Sequence, residues 1–163
     1  MNQKRISQVL IAAGALAAVG ILALAGVYAP IAAQGILESC AEVPGIRGMY
    51  WMGLIGVWTV TALFLLALAE YFRISARIGK ERSFCAENVK GLRRISLYLG
   101  VCAVLWLGAI FAPGILFHFS IGPACILFLL LAMANAALAM LALGLGKLLA
   151  RAVDIQQEND LTV

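Results

Sequence analysis

RISARIGKERSFCAENVKGLRR, residues 73–94, is the stretch whose reading decides the fold. It holds seven cations, Arg73, Arg77, Lys80, Arg82, Lys90, Arg93 and Arg94, against Glu81 and Glu87, a net charge of +5. Long apolar runs flank it on both sides. So cationic a segment cannot enter hydrocarbon and is retained on the cytosolic side of a membrane, which orients everything attached to it.

Working outward, the apolar runs are 6–29, 49–72, 95–112 and 123–146. A helix needs about 20 apolar residues to cross a bilayer, and each run approaches or exceeds that length. Run 6–29 is well beyond the roughly 7–15 residues of a secretory h-region, so it reads as a span. Eleven cations fall on the side of the basic stem and only Arg47 on the other, which predicts that both ends of the chain are cytosolic. Composition agrees: 64% of the 163 residues are hydrophobic, 12% are charged, and the mean hydropathy is +1.01. Soluble domains carry about 25% charged residues. The expectation is an all-α, polytopic membrane protein, a four-transmembrane-helix bundle with both termini inside and helices extending into the cytosol.

The connections follow from local chemistry. Residues 30–48, with Pro30, Gly35, Pro44 and Gly45, read as an outer loop, and Tyr50 and Trp51 as interfacial anchors of the second span. Ile74 and Ile78 carry that helix past Phe72 until Gly79 ends it. Ser83 is placed to cap a stem helix on which Cys85, Val89 and Leu92 share one stripe and Glu87, Lys90 and Arg94 another. Pro113-Gly114 reads as the end of the third span, and Pro123 as the first turn of the fourth. In the tail, 147–163, Lys147, Arg151, Asp154 and Glu158 lie on one helical face, and Leu148, Leu149, Ala152 and Ile155 on the other.

Few residues could carry chemistry. Thr59, Thr61 and Asn135 are the mid-membrane polar groups, and the structural reading gives the threonines bonds to their own helix and Asn135 an interhelical role. Asn135, Ala139, Ala142 and Gly146 make a small-residue face for close helix approach, as Gly14 and Ala18 do in the first span. Glu70 lies one turn from the inner end of its span, within reach of Arg73 or headgroups, and is not read as an intramembrane acid. Mid-span acids and bases are missing, so a proton-coupled carrier lacks its main part. Cys40, Cys85, Cys102 and Cys125 form no CxxC pair, and His118, the single histidine, reads as interfacial. No nucleophile sits beside a base. The expectation is a protein that is not an enzyme, with no metal, no cofactor and no direct nucleic-acid contact.

Gly79 to Ile95, above all Ser83-Phe84-Cys85-Ala86-Glu87-Asn88-Val89 followed by Leu92 and Arg93, together with the ending Gln157-Glu158-Asn159-Asp160-Leu161-Thr162-Val163, resembles a bacterial family of four-span membrane proteins known only as a domain of unknown function. Members of that family are often encoded beside a small helix-turn-helix regulator of the Cro/C1 type. The resemblance implies a bacterial inner-membrane protein with a cytosolic partner of that kind, and carries over no catalytic residue. The candidate partner-binding residues are Arg73, Arg77, Arg82, Glu87, Asn88, Lys90, Arg93, Arg94, Asp154, Glu158, Asn159, Asp160 and Leu161, with Lys90, Arg93 and Arg94 expected near Asp154, Glu158 and Asp160. The leading reading is an adaptor or sensor in the lipid bilayer. The alternative is a small transporter or channel, a homo-oligomer assembled through its Ala/Gly faces around Thr59, Thr61 and Asn135.

Overall fold

In hydrocarbon no water can satisfy backbone N–H and C=O groups, so each apolar run must close its own hydrogen bonds as a helix. The computed structural model has α1 (Gln3–Ala23), a π-helical turn (Leu24–Tyr28), α2 (Ala29–Ser39), α3 (Ile46–Gly79), α4 (Ala86–Phe117) and α5 (Ala124–Leu161). It describes residues 3–39, 41, 42, 44–80, 85–117, 122 and 124–161, and the side chains of these except 3, 4, 36, 39, 117, 124 and 159–161. Arg82, Ser83, Cys40, His118, Pro123, Thr162 and Val163 lie outside the described residues.

Because α1, the π turn and α2 form one rod, there are four helices long and apolar enough to cross a membrane. The protein is a four-helix membrane bundle. At about 1.5 Å per residue, α3 and α5 reach roughly 51 and 57 Å, against a hydrocarbon core of about 30 Å. They must therefore project beyond it.

Two prolines do not end helices as expected. Pro30 lies inside α2, and the supposed outer loop shortens to the turn between Ser39 and Ile46. Its ring displaces the N–H that would bond residue 26, and the π turn just before it relieves that crowding: Ala29 N–H reaches back five residues to the Leu24 carbonyl. Pro113 is buried within α4, which continues to Phe117. A lost helical bond is tolerated where leaving the helix would strand several backbone groups in lipid. Gly45 does break the chain, entering α3 at φ 83°, a left-handed conformation that suits glycine.

Each rod packs on its neighbour in sequence. The α4–α5 contact is the most extensive, then α3–α4 and α1–α3, with no comparably close approach of α1 to α5 among the described residues. On α5 the buried positions Ala132, Asn135, Ala139, Ala142 and Gly146 are spaced by three and four, with Val153 seven residues farther on, which lays one straight seam along a neighbouring helix. On α4 the buried Leu99 and Ala103 share a face with Trp106, which stacks on Phe128 of α5 with ring centroids 5.4 Å apart. The seam consists of small residues because, with lipid as apolar as leucine, helices associate through close backbone approach.

Candidate functional site at the basic end of the bundle

Side-chain contacts bring the start of α1, the end of α3, the start of α4 and the end of α5 to one end. Ser7 of α1 donates its hydroxyl to the Ser75 carbonyl at 2.8 Å, and the Tyr71 hydroxyl donates to the Leu10 carbonyl at 3.1 Å. A methyl on Gly79 would stand 2.8 Å from Ser7 Oγ, so glycine there lets α1 and α3 touch. Where α4 passes α5, a methyl on Gly146 would lie 3.5 Å from Leu92 Cβ.

At the centre of this end is Glu70, only 6% exposed. Its Oε1 accepts from Arg73 Nη1 at 2.7 Å, one helical turn along α3, and from Arg94 Nη1 at 2.9 Å, across from α4. Both arginine side chains remain more than half exposed. A buried carboxylate is thus neutralised by two cations that keep contact with water, the arrangement that lowers the desolvation cost of ion pairing. Gly91 permits it: a methyl there would meet Ile74 Cδ1 at 3.1 Å and hold the helices apart. The contact with Arg73 expected from the sequence is formed, and burial against α4, with the second bond from Arg94, makes Glu70 the pin between α3 and α4. The signal was present, since Glu70 is the one charge in run 49–72 and lies one turn before the stem.

Asn88, a candidate for partner binding, is instead 1% exposed, and its Oδ1 accepts from Arg77 Nη1 at 3.3 Å. It ties the beginning of α4 to the end of α3. Asn88→Ala should therefore lower stability in mild detergent by about 1 kcal/mol, near the low end for an abandoned polar partner because Arg77 can turn to water. The same replacement at exposed Lys90 should stay within about 0.5 kcal/mol. Equal effects from the two, read as thermal midpoints, would contradict this role for Asn88.

Among the described residues Arg94 pairs with Glu70 and not with Asp154 of the tail. With Gly146 level with Val89 and Leu92, antiparallel packing puts Arg94 level with about residue 142 of α5. Asp154 then lies roughly 18 Å farther along the axis, past the start of α4. Asp154 makes no ion pair among the described residues. Asp154 and Glu158 are exposed, as are Arg73, Glu87, Lys90, Arg93 and Arg94, while Arg77 is half-buried. Asn159, Asp160 and Leu161 belong to α5, but their side chains lie outside the described set, as does Arg82.

The mid-membrane polar groups are not brought together. Thr59 and Thr61 donate to the carbonyls of Ile55 and Val57, four residues back, at 2.7 and 2.8 Å. Asn135 sits in the α5 seam, donating to the Leu131 carbonyl at 2.8 Å while its buried Oδ1 has no partner among the described residues. The amide thus bonds its own helix and not across to another, although its small-residue face does receive α4. Cys85, Cys102 and Cys125 are free thiols.

No solved structure matches the chain. It is 27% identical over 121 residues, 74% of its length and 76% of the relative's, to a protein of Bacillus subtilis (strain 168) named "Uncharacterized membrane protein YoaS". Residues 35–163, which carry α3, α4, α5 and the whole Glu70 ion-pair cluster, match the family described as "Protein of unknown function (DUF2975)", and the chain belongs to that family.

Proposed function

We propose that the protein is a non-enzymatic adaptor or sensor of the bacterial inner membrane. In this reading its basic end holds a small cytosolic partner, a helix-turn-helix regulator being the kind that the family resemblance implies. The observation that carries it is the projecting end of α5. Val153 is buried, which fixes this segment against the rest of the protein, while Ile155 is 60% exposed between Asp154 and Gln156. With Leu148, also exposed, and half-buried Ala152, Ile155 makes an i, i+4, i+7 apolar stripe bordered by Lys147, Arg151 and Asp154. That is the pattern an amphipathic helix offers to a partner's groove. Such a stripe has no purpose in lipid packing where charges surround it. Glu87 on the stem would add to the polar rim.

The test is affinity purification from native membranes, comparing the full chain, a chain truncated after Arg151, and Ile155→Asp. A small DNA-binding regulator should be recovered with the full chain and at least tenfold less with either variant, all three being present in the membrane at equal levels. Recovery of the same proteins with all three would overturn the reading.

A further inference from the structure

Where the stem enters the apolar run, a groove of about 450 Å³ is lined by Lys90, Arg93, Arg94, Ser96 and Leu97 of α4 and by Leu143 of α5. We propose that this groove is a binding site for one anionic glycerophospholipid of the cytosolic leaflet, with the phosphate held by Lys90, Arg93 and Arg94 and an acyl chain laid over Leu97 and Leu143.

Three features argue for a lipid rather than a soluble anion or a protein. The first is charge. The three cations lie within five residues on adjoining turns of one helix face, all exposed, with no acidic residue among the groove's lining. Arg94 spends one N–H on Glu70, and that bond fixes the guanidinium at the groove's edge while leaving further donors for an anion. The second is the abrupt change of polarity. From Arg93 to Leu97 is a single turn, so a cationic end and an apolar end stand roughly 6 Å apart along the axis. That is the separation at which a phospholipid passes from phosphate to acyl chain. The third is the apolar end itself: Leu97 is 62% and Leu143 41% exposed. A free phosphate would leave both uncovered, whereas an acyl chain covers them. Basic pockets between helices on the cytosolic side are suited to anionic headgroups for the same electrostatic reasons.

The site lies apart from the Leu148–Ile155 stripe, so it stands or falls independently of the adaptor reading. The experiment is native mass spectrometry of the full-length protein in mild detergent, titrated with phosphatidylglycerol, phosphatidylcholine or inorganic phosphate. Phosphatidylglycerol should form a one-to-one adduct at least tenfold more tightly than phosphatidylcholine, and millimolar inorganic phosphate should not displace it. Lys90→Gln with Arg93→Gln spares the Arg94–Glu70 bond and should weaken the adduct roughly thirtyfold. Arg5→Gln with Lys80→Gln, on α1 and at the end of α3, removes the same charge elsewhere on the basic end and should leave it unchanged; thermal midpoints of both pairs should match wild type. Equal binding of the two lipids, equal loss in both double variants, or displacement by phosphate alone would each overturn the proposal. So would a cytosolic protein that competes lipid out of the groove at stoichiometric concentration.

Discussion

Replacing Arg73 and Arg94 together by leucine is expected to destabilise the bundle by about 3–5 kcal/mol, the cost of leaving a buried carboxylate without its cations. Glu70 has nowhere to turn, being walled in by α3, α4 and the bare backbone at Gly91. The reverse deletion costs less. Glu70→Gln strands two arginines whose side chains are 59% and 57% exposed and can be hydrated in place. Arg94→Leu alone should also cost less than the double replacement, because Arg73 still stands 2.7 Å from the carboxylate. The diagnostic variant is therefore the triple: adding Glu70→Gln to the two leucines removes the stranded charge and should recover most of the loss. Unfolding in mild detergent, followed by thermal midpoint or denaturant titration, reads all four. A double variant within about 1 kcal/mol of wild type, or a triple no better than the double, would show that Glu70 is not the pin between α3 and α4.

The second large effect is expected at Gly14. A methyl there would stand 2.8 Å from Phe72 Cε1 and 2.9 Å from Tyr71 Cε1, ring atoms held between two helices. Overpacking of this kind costs about 1–3 kcal/mol for Gly14→Ala, and Gly14→Leu should separate the rods outright. The separation would also break the bonds from Tyr71 to Leu10 and from Ser7 to Ser75. Since α1 approaches α3 closely but not α4 or α5, the damage should stay local. Hydrogen exchange should accelerate through α1 while the α4–α5 seam keeps its protection. Uniform loss across all four rods would refute that packing order.

Much of this protein is readable from residue order because lipid is an unforgiving solvent. Four apolar runs had to become helices, and Lys4, Arg5 and the stem cations had to share a side, since hydrocarbon tolerates neither open backbone nor unpaired charge. The small-residue stripe Asn135, Ala139, Ala142 and Gly146 was legible for a related reason: where burial of leucine gains nothing over lipid, small side chains mark the contact. Gly79 ending α3, and Thr59 and Thr61 bonding their own helix, followed from local geometry as well.

What escaped the linear reading depends on how helices sit beside one another. Pro30 and Pro113 carry strong local stop signals, yet a π turn in one case and burial in lipid and protein in the other outweigh them. Asn88 looks like any polar stem residue until α3 covers it. Arg94 has acids available to it at 70, 87, 154 and 158, and only the axial offset of α5 against α4 removes Asp154 from reach, while Gly91 brings Glu70 close. Residue order, acting through solvation, chose the helices, their number and their common basic end. The partner of each charge was chosen by helix offset and close approach, because an ion pair is decided over a few ångströms and no pattern along one chain encodes the spacing between two.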